Sequence, residues 1–364
     1  SNCVISRNQS TLTTGLGGGA YMANASVVTH CTISDNNVGT GSGSGGAGVY
    51  VSGAGKVLSS TITKNTARKN SGVSFSSSGG FIADSTISSN VSTAGGGGAG
   101  VCLDGGTTAS NCTIFGHQDF PCLAFSSGGT ALRCIIASNS SDTCVVDMNN
   151  GVLRNCLIMG NTGTGQGAVS MVDNGTIENC TVVRNQAGTK GGGLYITVPD
   201  ATIRNNIIYD NDAPVSNNWF FSSPGSGTIT YNCSTPLLTG TSNIDVDPLF
   251  ANTGSGYGTS AILGDYSLHS NSPCIDTGIN LAGMTTGPTR DLVGNARIRP
   301  SWGTVDMGCY EAYPEKWIFA CAFTTVPAAG VPPLQVVLTA ETSGNTNGLV
   351  YQWVFGDGTT TDWA

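Results

Sequence analysis

Arg154, Glu178 and Arg204 recur at intervals of 24 and 26 residues, each four positions before a central Ile or Val. If such segments stack, the three side chains form a charge-alternating ladder with steps of about 4.8 Å. That ladder is either part of an anionic-ligand site or a device that relieves like-charge stacking; in the second reading every charge has a partner. Lys64, Arg68 and Lys69 form the one local basic cluster, which would receive an acidic sugar or simply stay solvated. Elimination within a polyuronate needs a cation on the carboxylate and a base beside the departing proton. Glycoside hydrolysis needs two carboxylates facing each other across a sugar. Asp210 and Asp212 lie close in sequence but at the end of a β-branched run, and Asp104, Asp147 and Asp173 share no register. Calcium therefore has no support as a cofactor. The three His residues, His30, His117 and His269, fit neither a Ser-His-Asp nor a Cys-His arrangement, and no CxxC pair points to zinc. Trp219-Phe220-Phe221 falls in the longest insertion, Ala213 to Thr228. Aromatic rings on such a loop stack on sugar faces or anchor a partner; alternatively they fold back over the flank or end of the array. No catalytic residue or metal ligand is assigned.

These residues must be placed by a repeat. Ile5, Ile33, Ile62, Ile87, Ile114, Ile136, Ile158, Val182 and Ile208 each centre a copy of one short signature, 22 to 29 residues apart. Units this short and Gly-rich bury a core only by stacking. An Asn three residues later recurs as Asn8, Asn36, Asn65, Asn90, Asn139, Asn161, Asn185 and Asn211, with His117 taking its place once. A second Asn precedes the signature at Asn2, Asn111, Asn155, Asn179 and Asn205. Asn tolerates left-handed backbone at sharp corners, and stacked amides hydrogen-bond from copy to copy. Two Asn corners around one short strand predict a coil of parallel strands rather than a row of hairpins. After the later Asn comes a variable stretch and then a small-Gly-apolar strand start, as in Ala47-Gly48-Val49-Tyr50 and Gly192-Gly193-Leu194-Tyr195. One corner of each coil is thus expected to carry an outward loop.

Composition agrees. Gly occurs 53 times in 364 residues and only 10% are charged, while 39% hydrophobic content suffices for a narrow continuous core. The net charge of −8 lacks the basic stripe that neutralises phosphates, which argues against nucleic acid as a partner. No apolar run reaches the length of a membrane span. The chain opens inside a repeat copy, so a leader is expected upstream and the protein is expected outside the cell or on its surface. Of the thirteen Cys, Cys112, Cys134, Cys156 and Cys180 share the position two before the central apolar residue, as do Cys3 and Cys31. They are expected to be buried thiols in a stack, though neighbours about 4.8 Å apart lie within disulfide range.

With these motifs in place, residues 1–242 resemble the right-handed parallel β-helix repeats of secreted bacterial surface proteins and polysaccharide-active enzymes. Residues 243–312 resemble the closing segment of the choice-of-anchor type. That resemblance rests on Asp247-Pro248-Leu249-Phe250, Asp265-Tyr266-Ser267-Leu268, Ser272-Pro273-Cys274-Ile275-Asp276-Thr277-Gly278, Asp291-Leu292-Val293-Gly294-Asn295 and Val305-Asp306-Met307-Gly308-Cys309-Tyr310-Glu311. Because relatives often carry Ala at both positions, the resemblance makes Cys274 and Cys309 the candidate disulfide. Residues 313–364 resemble a linker and the first half of a PKD-type β-sandwich, on Pro332 to Ala340 and the run Trp353-Val354-Phe355-Gly356-Asp357-Gly358.

The expected fold is all-β: a right-handed parallel β-helix of about ten coils or slightly more, followed by the beginning of a sandwich. The expected function is a non-catalytic stalk, adhesin or assembly component. Its expected partners are glycans bound through corner loops, another cell-surface partner, or further copies stacked end to end. A lyase or glycoside hydrolase acting on an acidic polysaccharide is the alternative.

Overall fold

Triplets such as Thr61-Ile62-Thr63 are too short to be strands on their own and form only by lateral pairing. In the computed structural model they pair in register from turn to turn. The residues described are 1–39, 41, 43, 45–76, 79–94, 97–222, 227–281, 290–298, 303–312, 320–326, 337–343 and 359–361. The chain divides into two compact units, Ser1–Glu311 and Ala312–Ala364.

The first unit is a parallel β-solenoid of about nine turns with three walls. Each turn visits wall I (Ala20–Ala23 in the first turn), wall II (Val27–Thr29) and wall III (Thr32–Ser34) in that order. Walls I and II have nine strands each and wall III has ten. All nine signature residues lie on one another in wall III, from Ile5 against Ile33 through to Val182 against Ile208. Their side chains join those of walls I and II in one continuous buried core.

Each wall III strand is bounded by left-handed corner residues. Before it stand His30, Ser59, Asp84 and Asn111 in successive turns, with Asn155, Asn179 and Asn205 further on; after it come Asp35, Lys64, Ser89 and then Gly116. At the second corner the left-handed residue is the one before the expected Asn, because that Asn has another task. Its side chain turns inward, where Asn36 N–H and Nδ2 donate to Asn65 Oδ1 at 3.1 and 2.8 Å, and the pattern repeats turn by turn. The residue after the first corner builds a second inward ladder of mixed chemistry. Cys31 N–H donates to Ser60 Oγ (3.1 Å), Cys134 N–H to Cys156 Sγ (3.4 Å), Cys156 N–H to Cys180 Sγ (3.4 Å) and Cys180 N–H to Asn206 Oδ1 (2.8 Å). Cys112, Cys134, Cys156 and Cys180 are all buried and free.

Past Ser234 the register dwindles to isolated bridges, Thr230 to Thr241 and Cys233 to Ile244, so the solenoid has about nine turns rather than the ten or more expected. The chain then folds back along wall III, with Phe250–Asn252 antiparallel to Asp265–Leu268. Phe250, Tyr266, Leu292 and Cys309 pack on the outer faces of Ala137, Leu157, Met159 and Val183. Corner amides hold this segment down, since Asn155 Nδ2 donates to Arg290 O (3.0 Å) and Asn205 Nδ2 to Ile279 O (2.9 Å). Its own centre is a buried polar knot in which Arg297 bonds Glu311, Gly308 O and Asp306 O, while Asp291 accepts the N–H groups of Val293, Asn295 and Glu311.

The expected Cys274–Cys309 bridge is not formed; both are free thiols. Cys274 lies beside Cys233 on the last rung, whereas Cys309 N–H donates to Thr181 Oγ1 (3.1 Å). Thr181 and Cys233 are two rungs apart in wall III. Each thiol is thus seated against a different rung of wall III.

In the second unit, Ala320–Val326 pairs antiparallel with Val337–Ser343. This is a small two-stranded sheet, and the Trp353 to Gly358 run lies outside the described residues.

Candidate binding surface

Small and polar residues repeated at one position cut a trough along the rod. The turn from wall I into wall II is short and rich in Gly and Asn, and the first outward residue of wall II is Thr108, Thr130, Val152, Thr176 and Thr202 in five successive turns. With Gly106, Gly128, Asn150, Asn174 and Asp200 beside them, they line an open cavity of about 600 Å³. The glycines that lead into the wall II strands sit against the core, since a Cβ at Gly129 would stand 3.0 Å from that of Leu103 and one at Gly151 would meet the Phe125 ring at 2.5 Å. A surface that repeats once per turn and offers hydroxyl, amide and carboxyl groups suits an extended polar chain lying along the axis. This trough escaped the sequence reading, because a Gly-Thr pair opens the wall II strand only at Gly129-Thr130, Gly175-Thr176 and Gly227-Thr228.

The Arg154–Glu178–Arg204 ladder lies at the far edge of the same wall. Glu178 is 1% exposed and accepts from both neighbours, Arg154 Nε at 2.9 Å and Arg204 Nε at 2.6 Å. Both of its oxygens are thereby occupied, which leaves the ladder as a structural staple.

Lys64, Arg68 and Lys69 do not converge. Lys64 is an exposed left-handed corner residue, while Lys69 bridges to Gly45 and lines a cavity of about 340 Å³ over wall I with Tyr50 and Asp104. Trp219-Phe220-Phe221 is not a loop. It is the last strand of wall I, in register with Leu194-Tyr195-Ile196. Trp219 and Phe221 turn inward against the end of the core, with Trp219 Nε1 donating to Pro236 O (2.9 Å), and only Phe220 faces out. The insertion thus completes a coil, because its alternation of inward and outward aromatics is that of a strand.

Asp210 pairs with Arg184 (3.1 Å) on the neighbouring rung, and Asp212 accepts from Gln186 Nε2 (2.9 Å). Asp104, Asp147 and Asp173 occupy three different positions around wall I: just after a strand, at the centre of one, and two residues past the end of another. Among the described residues no three His, Cys, Asp or Glu side chains gather as a metal-binding group. His117 is fully buried in the Asn ladder, with Nε2 3.2 Å from Asn90 Nδ2 and Nδ1 3.1 Å from Asn139 Oδ1. That order requires the proton on Nδ1 and a neutral ring, and burial lowers its pKa to about 4. Burial also pushes the Cys144 and Cys309 thiols up to about 12, making them poor nucleophiles.

The family model described as "Right handed beta helix region" matches residues 40–171 and 103–244, together more than half of the chain. No curated protein matches the sequence. Among solved structures, the crystal structure of pectate lyase Pel9A aligns with 82% of this chain and 89% of its own, at 16% identity and a TM-score of 0.40. Likeness at that level transfers no site residue.

Proposed function

We propose that this chain, which belongs to the family of right-handed β-helix regions, is a non-catalytic extracellular or cell-surface protein that holds an extended glycan along wall II. One observation supports this above the others: the trough beside Thr108, Thr130, Thr176 and Thr202 is open, polar and repeated over five turns. A cleft of that form offers many equivalent weak contacts to a repeating polymer and no single enclosed point for a reaction. The buried carboxylates Glu178 and Asp291 are bonded to Arg side chains or backbone N–H groups, so they act as structural groups in this reading. In this reading the second unit, described as one antiparallel strand pair, serves as a PKD-type spacer.

Affinity electrophoresis through gels carrying soluble polysaccharides tests the reading. Retention is expected with at least one polymer, and it should be lost when Thr130 and Thr176 are both replaced by Arg, which fills the trough. Retention unchanged by that double substitution would overturn the site. Shortening of the polymer during incubation would replace the binding role with a lyase or hydrolase.

A further inference from the structure

Cys233 stands on the last rung of wall III, where it continues the outward row Leu157, Thr181 and Ile207. The returning segment covers this row residue by residue. Thr181 receives the Cys309 N–H, and Ile207 lies under Gly308, where a Cβ would come within 2.9 Å of its Cδ1. Cys274 lies beside Cys233 itself. The two thiols thus belong to different layers, one to the solenoid and one to the segment laid over it.

Hydrogen bonds hold both residues to the same short stretch, residues 246–248. Cys233 Sγ donates to Val246 O (3.2 Å). Pro248 O accepts from Ser272 Oγ (2.6 Å), and that hydroxyl in turn accepts the Cys274 N–H (3.2 Å). The backbones are fixed as well, since Cys233 N–H donates to Asn206 O (2.8 Å) and Cys274 O accepts the Met307 N–H (3.0 Å). The column Cys112, Cys134, Cys156 and Cys180 is a poorer place for a bridge. Its members are in-register neighbours, so their Cβ atoms stand about 4.8 Å apart, wider than the roughly 3.5–4.5 Å a disulfide uses. Bridging them would also remove Sγ acceptors from the N–H groups of Cys134 and Cys156.

We propose that Cys233 and Cys274 are a cross-linking site, closed by a low-molecular-weight disulfide in an oxidising compartment, and that the bridge fastens the returning segment to the end of the solenoid. One protein thiolate attacks the small disulfide and releases one small thiol; the second attacks the resulting mixed disulfide and releases the other. Each protein thiol gives up its proton, the S–S bond of the oxidant breaks as that of the protein forms, and the two electrons leave on the small thiols. Both cysteines are 0% exposed once the segment is down. The exchange therefore takes place during folding or when the segment opens, and the closed bridge is shielded from reductants.

Refolding the whole chain with a mixture of oxidised and reduced glutathione, beside a sample kept in dithiothreitol, tests the assignment. Thiol titration in denaturant should find two fewer than the thirteen of the reduced chain. Proteolysis and mass spectrometry should find one linked pair of peptides, joining Cys233 to Cys274. Because the bridge closes a loop of about 40 residues, Tm of the oxidised sample should be higher by roughly 5 °C. Cys233→Ser should form no such link and melt alike in both conditions, whereas Cys309→Ser should keep both the link and the shift. A full complement of thiols after oxidative refolding, a link from Cys274 to Cys309 or within the wall III column in its place, or equal melting with the bridge closed would each overturn the proposal.

Discussion

Replacing His117 by Asn isolates the one rung where the inner amide ladder is built from a titratable group. In the parent, Asn90 Nδ2 donates to His117 Nε2 and His117 Nδ1–H donates to Asn139 Oδ1. A second proton on the ring would set two donors against each other at Nε2, with no water to relieve them. Burial accordingly lowers the folded-state pKa to about 4 from the ordinary 6.5. The sign follows from proton counting. Between pH about 6.5 and 4 the unfolded chain binds the proton and the folded chain does not, so stability falls as the pH is lowered through that window. Above it the ring is neutral in both states and contributes no slope. A displacement of about 2.5 units corresponds to roughly 3 kcal/mol once the pH is below both values. Urea denaturation of the parent and His117→Asn at a series of pH values reads this directly. The stability difference, parent minus variant, should be flat above pH about 7 and fall by roughly 3 kcal/mol by pH about 4. Parallel curves across the whole range would refute the neutral-ring ladder.

Three further outcomes follow from the packing. Glu178→Ala should cost about 2 kcal/mol, because it leaves two Arg side chains facing each other, whereas Arg154→Ala should cost under about 1 kcal/mol since Arg154 is 44% exposed; thermal melts compare the two. Cys156→Ser should be close to neutral because Ser60 and Ser85 already fill the same row, but Cys156→Val, which leaves the Cys134 N–H unpaired, should cost about 1–3 kcal/mol in urea unfolding. Ile136→Ala, at 0% exposure, should cost about 2–5 kcal/mol, measured as the shift in urea midpoint.

The wall that the sequence revealed most fully is wall III, and for a physical reason. Its central residue is inward in every turn and must be β-branched or large, so Ile or Val returns nine times and the register can be read by counting. The ladder Asn is as legible because one short amide serves both bonds at every rung, as Asn65 does in accepting the Asn36 N–H and donating to Ile33 O, so the same residue type recurs. Walls I and II hide their outward positions, which only solvent or a ligand constrains. The Thr row of wall II thus lies in the sequence as scattered Thr, without a period to announce it. Trp219-Phe220-Phe221 misled for the opposite reason: a long irregular approach made a regular strand look like a loop. Cys274 and Cys309 misled because family resemblance says which residues recur but not which rungs they are fastened to.

The second inner ladder explains why Cys is so frequent. Its row runs Cys31, Ser60, Ser85, Cys112, Cys134, Cys156, Cys180, Asn206 and Asn232, and what these residues share is an inward atom able to accept the N–H of the preceding turn. The thiols do so weakly, at 3.4 Å, and their S–H groups return to strand carbonyls such as Ala131 O at the same distance. Asn does both tasks at 2.8 to 3.0 Å, with Asn206 Nδ2 also reaching Ile177 O at 2.9 Å. Cys offers apolar volume with a weak bond; Asn offers strong bonds in a more polar rung. The change from one to the other falls at Asn206, beside the corner residue Asn205, whose amide both donates to Ile279 O and accepts the Ile279 N–H. Both kinds of rung hold the returning segment, since Asn155 beside Cys156 donates to Arg290 O and Thr181 beside Cys180 accepts the Cys309 N–H, so the step from Cys to Asn trades apolar volume for shorter bonds without deciding which rungs are fastened.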